Sequence, residues 1–292
     1  MPVGKAEDRQ GRRSVVLLDV FPAGPGGGNP TSIVADARGM TGADMLAMAR
    51  DLGHESGFVF PLEQGYRFRF FVPRHEMEMC GHATVGALWL LHDAGSIGAG
   101  SVHIETLAGP VTGHVGEDGT VRVSQPAGAV EELTDEAVRR AVCEVLRVEA
   151  AALRPLPMLN ATTSRTKTLI ALSSADVLHG LEPDFGRIEE LCESIGSTGL
   201  YPFAPGREAA TFHARQFPKA AGYPEDAATG IAATALAFGT RCLGLVDEAG
   251  IVVRQGEALG RPSEIHVRFA EADAAPHVGC WLSGSVHREE SS

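Results

Sequence analysis

The sequence predicts an α+β protein of two similar domains, each a mostly antiparallel sheet rolled around a central helix. Its 292 residues suit two domains of about 150 residues each better than one core. A strand, a polar glycine-containing turn and an alanine-rich helix occur twice, first as FFVP and CGHATVGALWLL, then as ARQFP and EDAATGIAATALAF. Pro73 matches Pro218 and Thr84 matches Thr229 at one common offset, which indicates a duplicated domain.

Both alanine-rich helices are apolar on nearly every side, as in ALWLL. Such helices are buried inside their domain, so a sheet is expected to wrap around each of them. The N-terminus of each helix, with its unpaired N–H groups and partial positive charge, would then lie at the mouth of its domain. If the domains face each other, two helix N-termini converge on one cleft that suits a ligand carboxylate.

In the first half, a T-x-x-D capping pattern at Thr41 and Asp44 predicts the start of a helix, and Gly53 its end. A second helix is predicted over 83–94. Alternating or β-branched runs between turn residues predict strands at SVVLLDVF, TSIVA, HESGFVFP, YRFRFFVP, SVHIET, PVTGHV and TVRVS.

The second half repeats this plan. The small, Gly- and Pro-bearing segment QPAGAV, residues 125–130, is the best linker, and we place the boundary near residue 127. The predicted domains are 1–127 and 128–292, with the extreme C-terminal segment free to return to the first domain. Helices are predicted around 138–145, over 185–195 and along DAATGIAATALAFGTRCLG, and strands at TKTLIAL, FHARQFP, IVVRQG and EIHVRFA.

Composition excludes several classes of function. The formal net charge of −12 repels phosphate backbones and anionic membrane surfaces, so neither nucleic acid nor a membrane is an expected partner. With no apolar run of about 20 residues and no secretory leader in the printed N-terminus, we expect a cytoplasmic protein. The five cysteines form no CxxC pair and the histidines no HExxH cluster, so neither a disulfide framework nor a metal site is expected.

Two residues of the first half could carry acid–base chemistry. Glu55, in GHESGFVF, sits between a helix and an apolar strand, where a partly buried carboxylate could serve as a general base; the alternative is an exposed glutamate at a helix end. His82, in MCGHAT, precedes a buried helix and could orient substrate or relay a proton. Its alternative is a structural hydrogen bond.

Asp226 and Cys80 lie at the two repeated turns. Asp226, in PEDAATG, could contact substrate or simply be the N-cap of the following helix. Cys80 could be a base or nucleophile with a pKa lowered by the helix N-terminus. Because the matching turn YPEDAATG contains no second cysteine, we interpret Cys80 as a small buried residue.

Five ordered motifs, DVF with GNP, HESGFVFP, FVPRHEMEMCGHATVGA, EDAATGIAA and QGEALGRPS, resemble the phenazine-biosynthesis isomerase family, also called PhzF-like. The match covers about Asp19 to Ser263, most of the chain. The resemblance implies a diaminopimelate epimerase-like fold, a homodimer, no cofactor, and a role in phenazine or related antibiotic biosynthesis.

The resemblance also implies site residues. It makes Glu55 the proton-shuttling group, with His82 and Asp226 orienting the substrate. Backbone N–H groups around Gly81 and around Gly230, between Thr229 and Ile231, would hold a substrate carboxylate.

Two positions depart from the family's D-P-A-T-G-S pattern, because Ala227 replaces proline and Ile231 replaces serine. A hydroxyl contact is thereby lost and that end of the pocket becomes more apolar, so the substrate can differ from the phenazine precursor.

The sequence thus predicts a cofactor-independent isomerase that moves a proton within trans-2,3-dihydro-3-hydroxyanthranilate or a related unsaturated, amino-acid-derived acid. Glu55 would act as general acid and base in the cleft between the domains. Two alternatives remain: an amino-acid epimerase or racemase that uses Cys80 opposite Glu55 or Asp226, and a non-catalytic protein that binds a small molecule.

Overall fold

The computed structural model describes residues 14–247, 249–271 and 278–289, which form two compact units. Within the described residues, the first unit takes in 14–22, 29–124 and 282–289, and the second takes in 23–28 and 125–281. The helices and strands of the first half are β1 (Val16–Val20), β2 (Asn29–Val34), α1 (Gly42–Leu52), β3 (Ser56–Pro61), β4 (Tyr66–Phe71), β5 (Glu76–Met77), α2 (Gly81–Asp93), β6 (Gly100–Thr106), β7 (Gly109–Val115) and β8 (Val121–Gln125).

The strands and helices that follow β8 lie in the second unit. They are β9 (Ala129–Leu133), α3 (Glu136–Leu146), β10 (Met158–Thr162), β11 (Thr166–Ala171), α4 (Ala175–His179), α5 (Phe185–Ser194), β12 (Gly199–Pro205), β13 (Thr211–Ala214), β14 (Phe217–Pro218), α6 (Gly230–Cys242) and β15 (Ile251–Gln255). The last three strands are β16 (Ser263–Phe269), β17 (Cys280–Ser283) and β18 (Val286–Arg288).

The sheet of the first unit is mixed. β18 pairs with β1, and the order continues through β2, β3, β4, β6, β7 and β8, with the short β5 on β4 beside β6. Most neighbours are antiparallel, but β2 with β3 and β4 with β6 are parallel. The parallel pair of β2 and β3 places the residue before β3 against the chain of β2, and this residue is Glu55.

α2 is buried along nearly its whole length and contacts β1, β2 and β3. α1 packs on β3 and β4. The capping box predicted for α1 is confirmed, since the Thr41 side chain accepts from the backbone N–H of Asp44 and the Asp44 carboxylate accepts from that of Thr41. The helix ends at Gly53, whose φ of 78° is in the left-handed region that glycine adopts without strain.

The strands of the second unit pair in the order β9, β10, β11, β12, with β13 and β14 at different ends of the far edge of β12. β15 runs parallel to β13, and β16 pairs antiparallel with β15. α6 is buried against β9, β10, β11 and β16, and a separate apolar cluster packs α3 against α5.

Several sequence predictions require correction. The expected linker 125–130 is shorter in the structure, where residues 126–128 connect β8, which includes Gln125, to β9, which begins at Ala129. FHARQFP was expected to be one strand but forms two, β13 and β14, interrupted at the buried Arg215. The helix expected from Asp226 begins only at Gly230, with Thr229 at its N-cap position.

The five cysteines are all free thiols. Among the described residues there is no helix with the length and apolar character of a membrane span.

Candidate functional site

Glu55, His82 and Cys80 form one buried cluster in the first unit, which we call the Glu55 cluster. The Oε2 atom of Glu55 lies 3.2 Å from Nε2 of His82, and Nδ1 of His82 lies 3.5 Å from Sγ of Cys80. The side chains of His82 and Glu55 are only 5% and 13% exposed. The imidazole therefore bridges a carboxyl and a thiol in a site with little solvent.

Hydrogen bonds hold the backbone of Glu55 in place. Its carbonyl accepts hydrogen bonds from Oγ1 of Thr31 at 3.1 Å and from the N–H of Ser32 at 3.3 Å. The preceding His54 is held by a 2.8 Å hydrogen bond between its Nε2 and Oγ of Ser32. The exposed helix-end alternative for Glu55 is wrong, because the short connection after α1 turns this residue inward onto β2.

His82 and Cys80 come from the start of α2. Cys80 is the N-cap residue and makes no side-chain capping hydrogen bond, while Oγ1 of Thr84 donates to its carbonyl at 2.7 Å. The N–H groups of the first helical turn are thus left without a capping side chain, beside Glu55 and His82. Unpaired N–H groups at a helix N-terminus favour a bound anion.

The charges of the cluster favour a protonated His82. Burial opposes the charged imidazole, but the adjacent Cys80 and Glu55 outweigh burial and raise the pKa of His82 well above its ordinary 6.5. A cationic imidazole beside Glu55 stabilises negative charge on the carboxylate. His54 differs, since burial lowers its pKa although Glu55 opposes that change.

Asp226 lies at the corresponding turn of the second unit, in the segment before α6. The prediction that Asp226 is a plain N-cap is wrong: its backbone N–H donates to the carbonyl of Gln216, and its carboxylate accepts from Oγ1 of Thr229 at 2.5 Å. Nε2 of the buried Gln255 donates to the Asp226 carbonyl at 2.7 Å. Asp226 therefore lies in a turn before α6, and the side chains of Thr229 and Gln255 hold this turn by hydrogen bonds.

The sequence did not predict the buried polar residues that surround this turn. The Tyr201 hydroxyl donates to Oε1 of Gln255 at 2.9 Å, and both side chains are fully buried. Arg215 forms a buried, two-pronged ion pair with Glu225, at 2.9 and 2.6 Å. Arginine and glutamate are normally exposed, so nothing in the local sequence marked this pair.

α6 resembles α2 in its first turn. Its N-cap Thr229 makes no side-chain capping hydrogen bond to the helix, and the helix is buried from its first residues, Gly230 and Ile231.

Lys167 on β11 is also buried. Burial and the nearby Arg165 lower the pKa of Lys167 to about 8, although Asp226 opposes the shift.

Two groups of three side chains in the described residues have potential metal-ligand atoms within 4.8 Å of one another. One is the Glu55 cluster; the other comprises His179, His213 and Glu257 in the second unit. The sequence predicted neither group as a metal site.

Comparison with known proteins agrees with this fold. The model of a family described as phenazine biosynthesis-like protein matches residues 18–281. An uncharacterized isomerase of Deinococcus radiodurans is 34% identical over 285 residues, covering 92% of this chain and 91% of that protein. The uncharacterized isomerase YddE of Escherichia coli strain K12 is 30% identical, with 90% and 92% covered.

A solved structure is also similar. The crystal structure of the PhzF-family phenazine biosynthesis protein of Bacillus anthracis superposes with a TM-score of 0.83 at 26% identity, covering 94% of this chain and 96% of that one.

Proposed function

Since the chain belongs to the phenazine biosynthesis-like protein family, whose similar members are named isomerases, we propose that it is a cofactor-independent isomerase of an unsaturated, amino-acid-derived acid. The observation that supports this proposal best is the buried contact between Glu55 and His82. A carboxylate that an adjacent imidazole keeps ionised in a water-poor site is placed to accept a proton from a bound substrate.

In the proposed reaction, the Glu55 carboxylate takes a proton from an sp³ carbon next to the substrate's π system. The C–H bond electrons move through the conjugated bonds, and the protonated Glu55 then delivers its proton to a second carbon. One C–H bond breaks and one forms, so no redox cofactor is needed. One carboxyl can serve both steps if both carbons lie within its hydrogen-bond reach.

His82 acts in this proposal through Glu55. The imidazolium donates from Nε2 to the carboxylate, which fixes its direction and stabilises its charge before proton transfer. The uncapped first turn of α2, starting at Gly81, offers N–H groups for the substrate carboxylate.

We also predict that the same substrate contacts Asp226, Thr229, Gly230 and Ile231. The homodimer and the phenazine-type substrate likewise stay predictions.

A second candidate function follows from Cys80. Its sulfur lies 3.5 Å from Nδ1 of His82 in a buried position, the arrangement of a cysteine paired with a histidine base. Such a cysteine could remove the α-hydrogen of an amino acid, with Glu55 or Asp226 as the opposing group. The protein would then be an epimerase or racemase.

The first experiment follows the loss of the diene absorbance of trans-2,3-dihydro-3-hydroxyanthranilate on incubation with wild type and with the Cys80→Ala variant. The isomerase proposal predicts turnover by both proteins. The alternative predicts exchange of the α-hydrogen of amino acids with deuterated solvent, lost in Cys80→Ala. A protein that binds the diene without converting it, and exchanges no α-hydrogen, would contradict both and favour a binding protein.

A further inference from the structure

A second cluster of acid–base side chains lies in the second unit. It consists of His179, the last residue of α4, His213 on β13, and Glu257, two residues after β15. Nδ1 of His213 lies 2.6 Å, and Nε2 of His179 lies 3.1 Å, from the same atom, Oε2 of Glu257. Two imidazoles from different parts of the fold thus converge on one carboxylate oxygen.

The two imidazole rings meet edge to face, with centroids 5.6 Å apart, and do not stack. Within the described part of the chain, the other nitrogens, Nδ1 of His179 and Nε2 of His213, make no hydrogen bond. Each ring can therefore carry its proton on that outer nitrogen and present a lone pair to the centre of the cluster.

The backbone that carries these side chains is held by buried contacts. Nη1 of Arg215 donates to the His179 carbonyl at 3.3 Å and to that of Leu181 at 2.8 Å, which anchors the end of α4. β13 and β15 pair in parallel, so the chain that leads to Glu257 runs beside His213.

The glycine before Glu257 fixes the last turn. Gly256 has a φ of 78°, and a Cβ there would lie 2.3 Å from the carbonyl oxygen of Arg261. Only glycine fits this turn, and the turn fixes the position of the Glu257 backbone from which the carboxylate side chain extends. All three side chains are therefore placed by the fold before any ligand arrives.

We propose that His179, His213 and Glu257 bind a divalent transition-metal ion of the Zn²⁺ class. Two imidazole nitrogens and one carboxylate oxygen suit Zn²⁺, Co²⁺ or Ni²⁺, whereas Mg²⁺ and Ca²⁺ prefer oxygen ligands alone. The side chains are 33%, 14% and 30% exposed, so water can complete the coordination sphere as in open three-ligand zinc sites.

Binding an ion requires the side chains to adjust, starting from ligand atoms that all lie within 4.8 Å of one another. Metal bonds of roughly 2.0–2.1 Å in a tetrahedral site put neighbouring ligand atoms about 3.3 Å apart. The 3.1 Å separation at His179 is nearly that wide, and the 2.6 Å separation at His213 must open by about 0.7 Å, within reach of a rotation of the Glu257 side chain. The ion takes the place of the protons that the rings now share with the carboxylate.

The test is titration of chelator-treated protein with Zn²⁺ by calorimetry and with Co²⁺ by visible absorption. We expect one equivalent of metal to bind and each of His179→Ala, His213→Ala and Glu257→Gln to weaken binding by at least about tenfold. His266→Ala is the matched control, since His266 pairs with Glu264, at 3.0 Å, and with no other acidic side chain among the described residues. It should bind like wild type.

Two observations distinguish this site from the Glu55 cluster. A Co²⁺ ion bound to Cys80 would show a thiolate charge-transfer band, whereas an ion bound to the second cluster would not. The Cys80→Ser variant should keep metal binding at the second cluster. The proposal is overturned if wild type binds no metal, if His213→Ala binds as tightly as wild type, or if Cys80→Ser abolishes binding. Circular dichroism of each variant shows whether it has folded. This readout does not depend on isomerase activity.

Discussion

Lys167 is a buried lysine whose removal should stabilise the protein. Its side chain lies inside the second unit, 6% exposed, and burial lowers its pKa from 10.5 to about 8. At neutral pH the folded protein must therefore keep a charged ammonium in a poorly solvated position. Lys167→Met removes the charge and keeps most of the apolar volume.

The size of the effect follows from the pKa. Each pKa unit corresponds to about 1.4 kcal/mol, so the change from 10.5 to about 8 lowers the free energy of unfolding at pH 7 by about 3 kcal/mol relative to a neutral side chain. Between these two pKa values the unfolded chain holds a proton that the folded protein has lost, so stability rises with pH there. At about pH 9.5, roughly 1 kcal/mol of the effect remains.

The assay is urea unfolding of wild type and Lys167→Met at about pH 7 and about pH 9.5. The advantage of the variant should shrink by about 2 kcal/mol between the two pH values, a change that does not depend on how well methionine packs. Lys219→Met is the control, since the Lys219 side chain is 31% exposed and its ammonium pairs with Glu193. An advantage of Lys167→Met that is equal at both pH values would refute the reasoning.

Two further predictions concern charged groups inside the fold. Glu225→Gln should lower the free energy of unfolding by about 3 kcal/mol, because it leaves the buried Arg215 cation without its partner; a loss below about 1 kcal/mol in urea unfolding would show that the carbonyls around Arg215 suffice. The raised pKa of His82 means that its protonated form stabilises the folded state fully below pH 6.5 and that this contribution is lost as pH rises through the folded pKa. The melting temperature of His82→Asn should therefore approach that of wild type as pH increases above 6.5, and a constant difference would contradict the assigned charge.

The sequence predicted local structure best where one side chain decides it. The Thr41 and Asp44 capping box and the glycine end of α1 are short-range signals, and both are present. β12 was missed because its sequence GLYPFAP contains two prolines, which normally argue against a strand. β5, with two residues, is too short to show periodicity.

The candidate site was predictable only in part. Glu55 and His82 were chosen one at a time from their turns, and the structure joins them through the fold of α2 onto β2 and β3. No sequence rule gives a distance between residues so far apart along the chain.

The second cluster was harder still. His179, His213 and Glu257 lie on three elements that only the parallel pairing of β13 with β15 and the anchoring of α4 bring together. The buried ion pair of Arg215 with Glu225, which helps to hold these elements, consists of residue types that are normally exposed. Hydrophobic patterning therefore could not reveal it.

The most direct test of the account compares the rates at which wild type, Glu55→Gln and Glu63→Gln convert trans-2,3-dihydro-3-hydroxyanthranilate. Glutamine keeps the size of Glu55 but cannot accept the proton, so we expect its rate to fall by at least about a hundredfold with folding intact. Glu63, an exposed residue between β3 and β4, is the matched control and should keep the wild-type rate. A Glu55→Gln variant that converts the diene as fast as wild type would contradict the central claim that Glu55 moves the proton.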